Sequence, residues 1–105
     1  MSETLTRLEA AIAARRHASP EDSYVAHLHA KGLGKIAQKL GEEATEIVIA
    51  ALMGDEIDVV AEAADLVFHL LVLLGAKGVK LEQVIAELER REGLSGLAEK
   101  AARKE

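Results

Sequence analysis

The stretch Asp58-Val-Val-Ala-Glu62-Ala-Ala-Asp65-Leu-Val-Phe-His69-Leu-Leu-Val-Leu-Leu74 decides the fold. Its polar residues recur at intervals of three and four and the rest are Ala, Val, Leu or Phe, which predicts a helix apolar over most of its circumference. On a wheel of about 100° per residue, Asp58, Glu62, Asp65 and His69 fall within an arc of only about 60°. Carboxylates on a buried helix carry a large desolvation cost unless cations or hydrogen-bond donors compensate it. The stripe therefore implies a partner.

Working outward, Gly54 ends the preceding pattern and Asp55 stands ready to cap this helix, which is expected over Glu56 to Ala76, with the Gly75 to Gly78 segment closing it. Upstream, an amphipathic helix is expected over Leu33 to Met53, after the break at Lys31-Gly-Leu-Gly34. A first helix is expected from Glu3 to Arg16. Ser19-Pro20-Glu21-Asp22 offers a cap hydroxyl, proline at the first helical position and acids in the first turn, which predicts a second helix from there to Ala30. A last helix is expected over Leu81 to Arg91. No stretch alternates as a strand does. The fold class is all-α: an antiparallel bundle of about five helices, with one domain over residues 1–92 and a polar tail, loosely helical if at all, over 93–105.

Composition narrows the function. The chain has 105 residues, half of them apolar, and a net charge of −5. With one Tyr, one Phe and no Trp it lacks stacking platforms and a basic stripe, so it is not expected to bind nucleic acid. Without cysteine, disulfides and thiolate metal sites are excluded. The start, Met1-Ser2-Glu3-Thr4, does not read as a signal peptide, and a cytoplasmic protein is expected. The apolar run Leu66 to Leu74 is interrupted by His69 and falls short of the ~20 residues that cross a bilayer, so it is read as a buried helix with no membrane partner.

The Leu33 to Met53 helix carries a second polar face, with Lys35, Lys39, Glu42, Glu43 and Glu46 on it. Intrahelical ion pairs, such as Lys39 with Glu43, are one reading. Against it, each lysine precedes its glutamate, the weaker order, and the glutamates repel one another. Salt bridges from lysines of this helix are one way to compensate the Asp58 to His69 stripe. Facing the two acidic stripes instead brings Glu43, Glu46, Glu62 and Asp65 to one point, where oxygen-only ligands select Mg²⁺, Mn²⁺ or Ca²⁺ rather than zinc. Mg²⁺ usually shares such a site with substrate phosphates, which points to phosphoanhydride chemistry. Glu42, furthest from the apolar side, is the candidate to orient or deprotonate water, or else a surface residue.

The segments Lys35-Ile-Ala-Gln-Lys-Leu-Gly-Glu-Glu-Ala-Thr-Glu46 and Glu62-Ala-Ala-Asp65-Leu-Val-Phe-His-Leu-Leu resemble the phosphoribosyl-ATP pyrophosphatases of histidine biosynthesis, within the all-α nucleoside-triphosphate pyrophosphohydrolases. The superfamily pattern Glu-Glu-x-x-Glu followed by Glu-x-x-Asp is present in both halves. The resemblance implies Mg²⁺, with Mn²⁺ a substitute, on Glu43, Glu46, Glu62 and Asp65 and hydrolysis of phosphoribosyl-ATP to phosphoribosyl-AMP and pyrophosphate; Glu42, Glu43 and Glu46 are the candidate catalytic residues. It covers Leu5 to Arg91 and departs at His29 and Gly34.

Lys35 and Lys39 are candidates for substrate phosphate. Lys31 joins them, although the Lys31-Gly-Leu-Gly-Lys35 segment lacks phosphate-loop spacing and a helix break explains its glycines. Tyr24 either touches the base or ribose or packs between helices. His69 is a candidate substrate contact or a satisfied core histidine. Arg15-Arg16 is either a reach toward the second phosphorylated ribose or a solvated helix end. Alternatives are a housecleaning enzyme acting on a deoxynucleoside triphosphate and a non-catalytic helical adaptor. Because the fourth helix is apolar on too many sides for one thin bundle to cover, a homodimer is expected.

Overall fold

A computed structural model describes residues 2–92 together with Arg103, and within them the chain forms five α-helices and no strand: α1 Glu3–Arg15, α2 Tyr24–Lys31, α3 Leu33–Met53, α4 Glu56–Ala76 and α5 Leu81–Arg91. The expected polar tail lies outside the described residues, apart from Arg103.

The centre is the hairpin of α3 and α4, two helices of 21 residues joined by Gly54 and Asp55 alone, which forces them antiparallel. Asp55 Oδ1 accepts the Asp58 amide at 3.0 Å and Asp58 Oδ2 accepts the Asp55 amide at 3.2 Å, a reciprocal cap that satisfies two helix-end donors. Asp58 thus leaves the acidic stripe to close the turn. Gly54 is required there, because a Cβ would stand 2.6 Å from Asp58 Oδ2 and 3.0 Å from the Ala50 carbonyl.

One residue, Gly32, separates α2 from α3, and its φ of 100° is a conformation glycine adopts without a Cβ penalty. α2 begins later than its sequence signals predict. Ser19 accepts the Asp22 and Ser23 amides on its carbonyl and the Glu21 amide on its hydroxyl, forming an isolated turn. Ser23 then adopts an extended backbone (φ −138°, ψ 124°) and its hydroxyl caps the helix proper at Ala26. Two caps compete within five residues, and the second defines the helix.

α1, α2 and the C-terminal half of α4 surround a core of Ile12, Val25, Leu28, Ile36, Leu71, Val72 and Leu81. Each such side chain contributes about 1.5–3 kcal/mol when fully buried. α5 docks by its first turn, where Leu81 is buried and its amide donates to Glu9 Oε2 at 2.7 Å.

The expectation that α4 is buried fails for the single chain. Its most apolar 18-residue window has mean hydropathy 2.0, yet only 17% of it is buried. Ile57 and Val60 are 78% and 68% exposed, and Leu52 and Met53 at the end of α3 are 80% and 84% exposed. Only the C-terminal half of α4 finds cover from α1 and α2. By length and composition α4 also suffices to cross a membrane, contrary to the reading from Leu66 to Leu74, because the apolar residues continue through its first half.

Candidate metal and nucleotide site

Glu43 projects from the middle of α3, and Glu62 and Asp65 lie one turn apart on α4. The antiparallel hairpin brings one carboxylate oxygen from each within 4.8 Å of the others. Glu43 and Glu62 are half-buried and Asp65 is exposed. No described Lys or Arg forms a salt bridge with any of the three. Glu62 feels the result: its pKa is raised, first by desolvation, then by the charges of Asp65, Glu43 and Glu46, and by a hydrogen bond shared with Glu43.

Glu46, the fourth expected ligand, is exposed one turn further along α3. It lines a shallow depression with Ile49, Asp58 and Glu62. The structure therefore gathers three of the four acids and sets Glu46 beside them. The donor set is all oxygen and clustered from two helices, which fits a hard dication.

Glu42 is turned to its own helix. Gln38 Nε2 donates to its Oε2 at 2.7 Å and Lys39 Nζ to its Oε1 at 3.1 Å. The Gln38 bond, then the Lys39 bond, holds the Glu42 carboxyl below its ordinary range. Lys39 is correspondingly raised, first by its bond to Glu42. The intrahelical pair is thus Lys39 with Glu42 rather than with Glu43, which leaves Glu43 for the cluster. Lys35 is half-buried on the same face, near enough to lower Glu42; Lys31 is exposed at the end of α2. Neither forms a salt bridge among the described residues.

Tyr24 and His69 link α2 to the cluster. His69, only 6% exposed, places Nδ1 2.7 Å from the Asp65 carbonyl and Nε2 2.8 Å from the Tyr24 hydroxyl. A carbonyl only accepts, so Nδ1 carries a proton, and in the neutral ring Nε2 accepts from Tyr24. Both ring nitrogens are engaged, and contact with a phosphate would require one of these bonds to break. Burial, followed by nearby charges that include opposing Lys39 and Glu43, leaves the Tyr24 phenol raised, a donor at neutral pH.

Sequence reasoning named neither Gln38 nor Phe68. Gln38 was legible as the i,i+4 partner of Glu42. Phe68 meets its neighbour His69 edge-on at 5.2 Å and stacks on Tyr24 with ring centroids 6.1 Å apart, the latter a pairing across helices that spacing does not reveal.

Residues 5–92 match the family model described as phosphoribosyl-ATP pyrophosphohydrolase. The chain belongs to that family. Proteins named phosphoribosyl-ATP pyrophosphatase are similar to it over nearly their whole length. That of Erythrobacter litoralis is 70% identical over 100 residues, covering 95% of this chain and 96% of its own. The proteins of Novosphingobium aromaticivorans and Zymomonas mobilis are 66% and 60% identical, each over 101 residues, 96% of this chain and 94% of theirs. Within this phosphoribosyl-ATP pyrophosphohydrolase chain, every candidate site residue, from Tyr24 to His69, lies inside the matched span.

Proposed function

We propose that the chain hydrolyses phosphoribosyl-ATP to phosphoribosyl-AMP and pyrophosphate at the α3–α4 acid cluster, a step of histidine biosynthesis. The carrying observation is the approach of Glu43, Glu62 and Asp65 within 4.8 Å, without a salt-bridged cation among the described residues. Three carboxylates repelling one another weaken the fold, and a bound dication turns that repulsion into affinity.

Glu43, Glu62 and Asp65 would hold Mg²⁺, or Mn²⁺ in its place, with Glu46 beside them. When bound, Mg²⁺ supplies positive charge that offsets the phosphates and polarises the phosphoanhydride. Lys39 and Lys35, with Lys31 at the end of α2, attract the remaining phosphate charge. Water adds its oxygen to phosphorus and gives up a proton to solvent, the P–O anhydride bond breaks, and pyrophosphate leaves with the bonding electrons. Glu42, its pKa lowered, accepts hydrogen bonds and so orients that water more than it deprotonates it. Tyr24, 46% exposed, is placed to flank the base or ribose.

The same reading makes the protein a cytoplasmic homodimer with a small nucleotide ligand and no nucleic-acid or membrane partner. A bilayer position for α4 would carry Glu62 and Asp65 into hydrocarbon at high cost, whereas a second copy covers Ile57 and Val60 and leaves the acids to metal. With Mg²⁺, the purified protein should release pyrophosphate from phosphoribosyl-ATP far faster than from ATP, dCTP or dUTP. Glu46→Gln should lose that release while keeping its helical circular dichroism. Preference for a deoxynucleotide, or silence on every substrate, would overturn the assignment.

A further inference from the structure

A partly open pocket lies between α1, the end of α2 and the turn from α4 to α5. It has a volume of about 200 Å³ and shares no residue with the acid cluster. Ile12 and Leu71 form apolar wall, while Glu9, Arg16, His29 and Lys80 supply polar groups.

Its charges are unbalanced. Arg16 and Lys80 form no salt bridge among the described residues, and the hydrogen bond of the Arg16 guanidinium goes to a neutral acceptor, the Gly75 carbonyl, at 3.3 Å. The lone acid, Glu9, already accepts the Leu81 amide at 2.7 Å. Two permanent cations and an imidazole thus face one carboxylate that is committed to starting α5. The His29 proton is destabilised first by burial and then by Arg16 and His17, as expected in a positive field.

The wall also carries unfilled room: at Gly75, the penultimate and exposed residue of α4, a Cβ would meet nothing within 4 Å.

We propose that this cavity is an anion site distinct from the acid cluster, taking a phosphoryl group on a small molecule, with Arg16 and Lys80 as its cations and His29 in its wall. Arg16 and Lys80 against Glu9 leave a net positive charge that attracts an anion, and a phosphoryl group, with three free oxygens to a carboxylate's two, can meet the guanidinium fork and Lys80 together. The space is below the roughly 300 Å³ at which sites for larger organic ligands begin, so it suits inorganic phosphate or the head of a sugar phosphate rather than a whole nucleotide.

The intact chain, free of metal and in EDTA, would be titrated with inorganic phosphate while the His29 ring signals are followed by NMR. The expected result is a saturable shift that Arg16→Gln weakens by about tenfold or more, the cost of losing a charge-assisted hydrogen bond. Gly75→Ala, which keeps the helix, should weaken it severalfold by narrowing the cavity, and Glu62→Gln should leave it unchanged. Ribose 5-phosphate separates the two sources. Tighter binding than phosphate identifies the sugar-borne group, equal binding identifies the free ion, and either supports the site. A shift that never saturates, one that Arg16→Gln does not change, or one that acetate reproduces equally would overturn it.

Discussion

Ile57→Ala tests whether a second copy covers α4. Ile57 is 78% exposed in the single chain and lies outside the acid cluster. The substitution removes three carbons, about 2.4 kcal/mol at ~0.8 kcal/mol per buried CH₂, or about 2 kcal/mol when scaled by the exposure a partner would cover. In a two-fold dimer the loss occurs twice, so the dissociation constant should rise by roughly 4 kcal/mol, close to three decades. Sedimentation equilibrium or light scattering across nanomolar to micromolar concentration reads this directly. Wild type should be dimeric at micromolar protein, and the variant should dissociate in the same range with its helical spectrum intact. A wild-type monomer at micromolar concentration, or a variant with an unchanged dissociation constant, would refute the reasoning.

Glu62→Gln should weaken Mg²⁺ binding by at least about 100-fold, the upper cost for even an outer-shell partner, as measured by calorimetry. In wild type, acidification should weaken that binding at a higher pH than an unperturbed glutamate would give, because Glu62 holds its proton to higher pH. The metal-free fold behaves oppositely: this raised group favours it at low pH and loses that contribution as pH rises through the folded pKa. Tyr24→Phe leaves the buried His69 Nε2 without its donor and should cost about 1–3 kcal/mol in urea unfolding. Glu87, held at about 2 first by Arg90 and then by Arg91, contributes stability above pH 4.5 that is lost as pH falls toward 2. Glu87→Gln should therefore flatten the acid limb of the thermal stability profile, and an unchanged limb would show that these ion pairs contribute nothing measurable.

The bounds of α3, α4 and α5 were legible because glycine and the Asp55 cap act locally, through a few neighbouring residues. The start of α2 was not, since Ser19 and Ser23 both carry capping hydroxyls and only the packed structure decides between them. The acid cluster was legible in its two faces, while the choice of Lys39 for Glu42 over Glu43 was not: both glutamates are within reach on one face, and the answer depends on α4 standing opposite. Composition likewise showed that α4 needs cover without showing which surface supplies it. The link from Tyr24 through His69 to Asp65 depended on the crossing of two helices, about which spacing within either is silent.

The two-residue connection at Gly54 and Asp55 has a kinetic consequence. Glu43, Glu62 and Asp65 come from neighbouring segments, so little chain entropy delays their encounter, and the hairpin closes early in folding. Mutual repulsion then opposes the first native contacts rather than the last. Refolding should accelerate when divalent ions are present from the start, and the same ions added after collapse should slow unfolding.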